Sequence, residues 1–234
     1  MTDVRVYADP GELGRALAAE IVERIRAKGG RFLLGCPGGR SLRSTYAALV
    51  GAGLRGVTIV MLDEYVGAPP DAHFSCARFA REEIAGPLGI AAEDVWLPDE
   101  HDPSAYDARL AEAGGVDLFL LASGASDGHV AFLGPGSPRT GQTAVVELAE
   151  TTRRDNLVTF PRFRSAADVP THGVSVGLAT IARAGAVRLV LHGEDKRAAA
   201  TRLLALDEFD PQWPASIVHD CDDGRILLDR AAAP

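Results

Sequence analysis

A carboxylate and an imidazole lie two residues apart in residues 126–132, which read Ser-Asp-Gly-His-Val-Ala-Phe. The segment directly follows the apolar run at 116–121, which indicates a buried strand. Ligands of open α/β sheets bind outside the carboxyl ends of the strands, so Asp127 and His129 are candidates for catalysis. A carboxylate that orients an imidazole, or raises its basicity, forms a general acid–base pair. Asp-Gly is also a common turn pair, and a plain turn is the alternative at this point.

A glycine-rich loop indicates a second kind of chemistry, the binding of an anion. Residues 35–41 read Gly-Cys-Pro-Gly-Gly-Arg-Ser and lie between a predicted strand and a predicted helix. Gly38 and Gly39 let a ligand approach the backbone closely, and the N-terminus of a helix favours negative charge. Arg40 adds a cation and Ser41 adds a hydroxyl, so phosphate is the expected ligand. The spacing matches neither a P-loop nor a dinucleotide-binding turn, and a tight turn with a serine cap is the alternative.

Charged residues also follow two other predicted strands. Asp63 and Glu64 come after the apolar run at 57–62. Neighbouring side chains of a strand point to opposite faces, so one acid can accept a proton in a pocket while the other makes structural hydrogen bonds. Lys196 opens a predicted helix, where a cation opposes the helix dipole and a phosphate ligand would explain its position. A solvated strand end and an exposed lysine are the alternatives.

Short apolar runs alternate with amphipathic segments along the chain. Strands are predicted at 4–7, 32–35, 57–62, 95–97, 118–121, 187–192 and 226–228, and helices at 10–28, 42–50, 75–84, 104–113, 173–184 and 195–206. Buried strands that alternate with helices predict an α/β fold, a Rossmann-like open, mostly parallel sheet with helices on both faces. The composition shows no break or linker, so a single domain over residues 1–234 is expected.

The 234 residues carry a net charge of −8, with 47% hydrophobic and 24% charged residues. This balance is ordinary for a soluble globular protein and argues against a basic groove for nucleic acid. Cys36, Cys76 and Cys221 are far apart and match no metal or disulfide spacing. No apolar run approaches the roughly 20 residues of a membrane span, and the N-terminus lacks the features of a signal peptide. We expect a cytoplasmic protein with neither nucleic-acid nor membrane partners.

Five segments in order resemble the glucosamine-6-phosphate isomerase/deaminase family, whose superfamily also contains the 6-phosphogluconolactonases. The resemblance extends from about residue 31 to about residue 228. The matching segments are residues 37–41 (Pro-Gly-Gly-Arg-Ser), 61–67 (Met-Leu-Asp-Glu-Tyr-Val-Gly), 127–132 (Asp-Gly-His-Val-Ala-Phe), 169–170 with 174–177, and 193–196 (Gly-Glu-Asp-Lys).

The resemblance implies roles for the matched residues. Asp63 corresponds to the residue that moves a proton between C1 and C2 of an open-chain sugar. His129, with Asp127 as its partner, corresponds to the residue that assists ring opening. Gly39, Ser41 and Lys196 fall where the family holds the sugar phosphate, and Gly38, Arg40 and Glu64 complete the candidates for substrate binding. The implied chemistry needs neither a metal nor an organic cofactor.

The chain departs from the family pattern near these motifs. Deaminases carry a glutamate that works with the histidine in ring opening, and Gly134 occupies that position here. Their phosphate-binding arginine has no clean counterpart after residues 152–156, which leaves Arg162 and Arg164 as candidates. Residues 133–136, Leu-Gly-Pro-Gly, lean towards the lactonases, whereas Tyr65 stands where lactonases carry an arginine.

Three functions follow from this mixed pattern. The first is isomerisation with deamination of a hexose amino-sugar 6-phosphate, such as glucosamine 6-phosphate. The alternatives are hydrolysis of a 6-phosphogluconolactone and non-catalytic sensing of a sugar phosphate. Since the chain ends shortly after the last predicted strand, the longer C-terminal segment of allosterically regulated deaminases is not expected. We therefore expect a monomer or a low-order homo-oligomer.

Overall fold

Strands and helices alternate over most of the chain, and the computed structural model describes residues 2–234. The strands are β1 Asp3–Tyr7, β2 Phe32–Cys36, β3 Val57–Met61, β4 Asp63–Tyr65, β5 Val95–Trp96, β6 Leu118–Ala122, β7 Ala144–Glu147, β8 His172–Ser175, β9 Val187–Leu191 and β10 Gly224–Asp229. The α-helices are α1 Pro10–Lys28, α2 Arg43–Leu49, α3 Cys76–Phe79, α4 Gly86–Leu88, α5 Pro103–Glu112, α6 Glu150–Thr159, α7 Leu178–Ala182 and α8 Arg197–Leu204. A π-helical segment, Ala80–Ala85, joins α3 to α4, and a 3₁₀ turn, Glu194–Lys196, precedes α8.

Seven parallel strands form the central sheet, in the order β1-β10-β9-β6-β2-β3-β5. All residues of β2, β3 and β9 are buried, which explains why these strands are nearly continuous apolar runs. Leu33 and Leu34 are neighbours in β2 but belong to different buried apolar clusters, one for each face of the sheet. This architecture confirms the predicted Rossmann-like α/β sheet with helices on both faces.

The first helix shows how local sequence signals set the boundaries of an element. Asp9 caps α1 by accepting a hydrogen bond from the backbone N–H of Glu12 at 2.8 Å, and Pro10 occupies the first turn. The buried side chains of α1 recur every four residues at Leu13, Leu17, Ile21 and Ile25. Gly29 ends the helix with φ +64°, a left-handed conformation that favours glycine. The amphipathic stripe packs this helix against the central sheet.

A second, three-stranded antiparallel sheet in the order β4-β8-β7 lies beside the central one. The predicted helix at 173–184 is wrong in its first part, because His172–Ser175 is strand β8 and only Leu178–Ala182 is helical. β8 is stabilised by pairing with β4 and β7, contacts between distant parts of the chain that local periodicity does not contain. The central strand β3 ends at Met61, and the chain then enters the second sheet, where Asp63 is the first residue of β4.

Neither β7 nor α6 is predicted from the sequence. α6 is mostly polar, and Thr152 is its one buried residue, so it lacks the apolar stripe that identifies a helix from sequence. The single domain over residues 1–234 stays a prediction, and Met1 lies outside the described residues. Within residues 2–234, no helix combines the length and the apolar character that crossing a membrane requires.

Candidate active site

A cavity of about 280 Å³ opens at the carboxyl ends of the central strands, the edge at which parallel sheets bind ligands. Four predicted segments meet there: the glycine-rich loop after β2, Asp63 in β4, the loop after β6 with His129, and the 3₁₀ turn with Lys196. Of the substrate-binding candidates, Gly38, Gly39, Arg40, Ser41 and Lys196 line the cavity. The fold therefore brings together residues that are up to about 160 positions apart in the sequence.

Asp127 and His129 form a hydrogen-bonded pair. Asp127 Oδ1 lies 2.7 Å from His129 Nδ1 and accepts the His129 backbone N–H at 3.0 Å. The other carboxylate oxygen accepts bonds from the hydroxyls of Thr151 and Thr152. Burial opposes ionisation of Asp127, but His129 and Thr151 outweigh it and hold the pKa of this carboxyl well below its usual range. Asp127 is therefore an anion that fixes the imidazole, and Nε2 is the ring nitrogen left for a ligand.

The backbone around this pair leaves no room for larger side chains. Gly128 has φ +66°, and a Cβ there would lie 2.3 Å from the Trp213 ring. A Cβ at Gly124 would lie 2.2 Å from His129 Nδ1. Ala131 has φ +51°, a conformation that non-glycine residues adopt at some cost. The loop is thus shaped around the acid–base pair rather than being an ordinary Asp-Gly turn.

Asp63 begins β4 and lies buried at the cavity wall. Its Oδ1 accepts a hydrogen bond from the Cys76 thiol at 3.2 Å. Burial raises the pKa of Asp63 to about 7, with the charge of Glu64 acting in the same direction and Cys76 and His129 opposing it. A carboxyl with a pKa near neutrality is suited to accept a proton and return it.

Glu64 does not line the cavity, and the expectation that it binds substrate is corrected. Its side chain lies on the opposite face of β4 and accepts the backbone N–H groups of Cys76 and Ala77 at 3.0 and 2.8 Å. It also accepts the hydroxyl of Ser75 at 2.9 Å. With these bonds Glu64 holds the start of α3 against β4, a structural role. The two adjacent acids thus divide into one cavity residue and one structural residue.

The other end of the cavity is cationic. Lys196 donates a hydrogen bond to the carbonyl of Ser123 at 2.8 Å and lies close to Arg40. Burial lowers the pKa of Lys196; the carboxylates Asp155 and Asp195 act in the opposite direction. Ser41 is not a helix cap, since Leu42 holds the N-cap position of α2. Two cations, a hydroxyl and the Gly38-Gly39 backbone make this end suited to an anion such as phosphate.

Helix α6 adds cavity residues that the sequence analysis did not identify. Thr152, Asp155 and Asn156 line the cavity, whereas Arg162 and Arg164 do not. Arg164 is exposed and lies 4.0 Å from Asp168. The expected replacement for the family's phosphate-binding arginine is therefore corrected: Arg40 is the arginine in the cavity wall. Residues 152–156, after which the family's arginine is expected, were the available signal that this segment borders the site.

Asp127, His129 and Asp155 each place one ligand atom within 4.8 Å of the others, a spacing that a metal ion could use. The donor set fits this poorly, because the two oxygens of Asp127 already accept four hydrogen bonds and His129 Nδ1 is committed to one of them. The Asp127 carboxylate and His129 Nδ1 are instead bonded to each other, and the hydroxyls of Thr151 and Thr152 bond the carboxylate.

Known proteins of similar sequence identify the family of this chain. A family model described as glucosamine-6-phosphate isomerases/6-phosphogluconolactonase matches residues 8–228. The chain belongs to this family. A glucosamine-6-phosphate deaminase of Shouchella clausii is 34% identical over 95% of this chain and 92% of its own length. One of Rhodopirellula baltica is 35% identical over 99% of this chain and 94% of its own length.

Solved structures of the family share the fold. A monomeric glucosamine-6-phosphate deaminase superimposes with a TM-score of 0.91 at 26% identity, covering 98% of each chain. A 6-phosphogluconolactonase of Leishmania guyanensis superimposes with a TM-score of 0.76 at 20% identity, covering 99% of this chain and 97% of that one. At this identity the lactonase shows the common fold alone.

Proposed function

We propose that this protein converts glucosamine 6-phosphate and water into fructose 6-phosphate and ammonia. The observation that carries the proposal is the position of Asp63, a buried carboxyl with a pKa of about 7, in one cavity with His129 and with the cations Arg40 and Lys196. Relatives named as glucosamine-6-phosphate deaminases cover nearly the whole chain and support the same reaction.

The phosphate binds first at the cationic end of the cavity. Arg40 and Lys196 supply charge, and Ser41 and the Gly38-Gly39 backbone supply hydrogen-bond donors. Fixing the phosphate positions the sugar carbons near the acid–base residues, which removes part of the entropic barrier. His129, whose Nδ1–H is held by Asp127, takes the proton of the C1 hydroxyl on Nε2 and delivers it to the ring oxygen, and the ring opens to the aldehyde.

Asp63 then carries the isomerisation. Its carboxylate takes the proton from C2, the electron pair forms a C1–C2 double bond, and the substrate's C2 ammonium group gives a proton to the C1 oxygen, which leaves a neutral enol-amine. Asp63 returns the proton to C1, which leaves an imine at C2. Water adds to C2, the carbon–nitrogen bond breaks, and ammonia leaves with fructose 6-phosphate as the other product. A general acid–base residue of this kind typically contributes about 10²–10⁴-fold in rate.

An assay of both products tests the proposal. The purified protein is incubated with glucosamine 6-phosphate, and ammonia and fructose 6-phosphate are measured over time. We expect the two products to form in equal amounts. The same preparation is offered 6-phosphogluconolactone, with buffer as the control for spontaneous hydrolysis. Absence of ammonia at high protein concentration overturns the proposal. Lactone hydrolysis above buffer would then indicate a lactonase, and thermal stabilisation by sugar phosphate without turnover would indicate a sensor.

We also propose that the protein works as a monomer or low-order homo-oligomer in the cytoplasm, without a nucleic-acid partner. The similarity to a monomeric deaminase supports the first part, and the net charge of −8 supports the last. Light scattering coupled to size-exclusion chromatography gives the mass directly. A mass of six or more copies of the 24.6 kDa chain would contradict the proposal.

A further inference from the structure

We propose that Cys76 is a positioning residue for Asp63: its thiol holds one carboxylate oxygen so that the other faces the substrate. The proposal rests on the proposed function, since it assigns Asp63 its working orientation. Both residues line the cavity, and the Cys76 Sγ lies 3.2 Å from Asp63 Oδ1. In the sequence Cys76 has no motif around it, and only the fold brings it to Asp63.

Hydrogen bonds anchor the backbone that carries the thiol. Cys76 is the first residue of α3, and Ser75 caps this helix by accepting the backbone N–H of Arg78. The Cys76 backbone N–H is bound to Glu64 at 3.0 Å. Because Glu64 and Asp63 are neighbours in β4, the strand that carries the carboxyl also anchors the helix that carries the thiol. This geometry fixes the distance between them through the backbone of both elements.

The thiol is the donor of this bond. Burial raises the pKa of Cys76 well above its usual range, and the charges of Asp63 and Glu64 raise it further. Cys76 therefore keeps its proton at neutral pH, and its S–H can donate to the ionised form of Asp63. A hydrogen bond to the ionised form favours that form, so the thiol opposes the effect of burial on Asp63.

The other groups around Asp63 do not replace this bond. His129 lowers the pKa of Asp63 through its charge, and Glu64 raises it. The remaining titratable groups whose pKa values the charge of Asp63 affects are Tyr46, Tyr65 and Tyr106. Burial raises the pKa values of all three tyrosines well above the usual range. The Tyr46 hydroxyl donates to the backbone carbonyl of Pro37. The Tyr106 hydroxyl lies within hydrogen-bond distance of the carbonyls of Met61 and Trp96. Among the described residues, Cys76 is thus the side chain that bonds Asp63.

The test compares Cys76→Ala, which removes the donor, with Cys76→Ser, which keeps one. Cys221→Ala is the matched control, because Cys221 is also buried but bonds the Ile217 carbonyl away from the cavity. The readouts are kcat and KM for glucosamine 6-phosphate across pH 5 to 9, the melting temperature, and the titration of the Asp63 carboxyl by ¹³C NMR.

For Cys76→Ala we expect the acidic limb of the kcat/KM profile to move up by about one pH unit, and the rate on that limb to fall about tenfold. We expect Cys76→Ser to restore the profile, and Cys221→Ala to keep it at the wild-type position. An unshifted profile in Cys76→Ala, or an equal shift in the serine variant, overturns the proposal. If the alanine variant does not fold, Cys76→Val carries the same comparison.

The NMR titration separates this proposal from the proposed function. It reports the Asp63–Cys76 contact without any turnover. If the wild-type protein releases no ammonia, the proposed function fails, and an unchanged Asp63 titration in Cys76→Ala would independently reject the contact.

Discussion

Asp63 and Asp127 are both buried carboxyls, yet their surroundings move their pKa values in opposite directions. Burial raises the pKa of Asp63, whereas at Asp127 burial is outweighed by the combined effect of the His129 bonds and charge and the Thr151 bond. In acid–base enzymes, carboxyls separated in this way take different tasks. We therefore expect Asp63 to exchange protons with substrate, and Asp127 to stay ionised and hold His129.

Replacing Asp63 by asparagine tests its task. The amide keeps the size of the side chain but cannot accept a proton, so we expect kcat to fall by about 10²–10⁴-fold. The measurement is steady-state ammonia release at pH 7.5, with the exposed Asp207→Asn as the control of matched chemistry. Full ammonia release by Asp63→Asn would exclude Asp63 as the base of the reaction.

Replacing Lys196 by methionine tests the cationic end of the cavity. Methionine keeps the apolar stem but loses the charge, and a charge-assisted bond is worth about 1.5–3 kcal/mol, so we expect KM to rise about 10–100-fold. The control is Lys28→Met, because Lys28 lies away from the cavity and pairs with Asp117. A fall in kcat with unchanged KM would place the role of Lys196 in the chemical step instead.

At the scale of elements, a buried ion-pair network joins α1, β9 and the residue before β10. The Arg188 side chain is 0% exposed and bonds Glu20 at 2.5 Å and Asp223 at 3.1 Å. Its Nη1 also donates to the backbone carbonyls of Val187 and Asp223. The network ties the first helix to β9 and to the residue before β10, in the half of the central sheet that lies away from β5.

Removing Arg188 leaves the carbonyls of Val187 and Asp223 without a donor and weakens the neutralisation of Glu20. We therefore expect Arg188→Met to reduce the free energy of unfolding by about 3 kcal/mol. Urea denaturation measures it, and Arg5→Met is the control because the Arg5–Asp3 pair is exposed. Equal midpoints for the two variants would contradict a structural role for the buried network.

The elements also show where sequence patterns succeed. The stripe of α1 and the apolar runs of β2, β3 and β9 were predictable because burial of one helix face, or of a whole strand, leaves a pattern in adjacent residues. β8 was predicted as helix because its stabilising partners, β4 and β7, are distant in sequence. α6 was missed because it is polar and buries only Thr152 fully, which leaves no apolar stripe in the sequence.

At the scale of the whole molecule, the two carboxyls give stability a defined pH dependence. The folded pKa of Asp63, about 7, exceeds the ordinary value of 3.8, so the folded state binds this proton more tightly. Its contribution is therefore fully present below pH 3.8 and is lost as the pH rises to about 7. The contribution of Asp127 to stability has the opposite pH dependence, because its pKa is lowered on folding. This contribution is present above the ordinary pKa of 3.8 and is lost as the pH falls below it.

Asp63→Asn should remove the loss of stability between pH 4 and 7. We expect the variant to be more stable than the wild type at pH 8 by on the order of 3 kcal/mol, and the difference to shrink towards pH 4. Urea denaturation at pH 4, 6 and 8 measures it, with Asp207→Asn as the control. A difference that does not depend on pH would show that Asp63 titrates normally in the folded protein.

The sequence by itself determined the fold class, the family and four of the segments that line the cavity. Alternating buried strands and helices leave local patterns, and the carboxyl ends of parallel strands must share one edge, so Asp63, His129, Lys196 and the glycine-rich loop could be assigned to one site. Only the tertiary structure decided which acid faces that site. It turned Glu64 towards α3, brought Cys76 to Asp63, and placed Arg40, rather than Arg162 or Arg164, in the cavity. These outcomes depend on the faces of β4 and on packing between distant segments, and neither is encoded in the spacing of neighbouring residues.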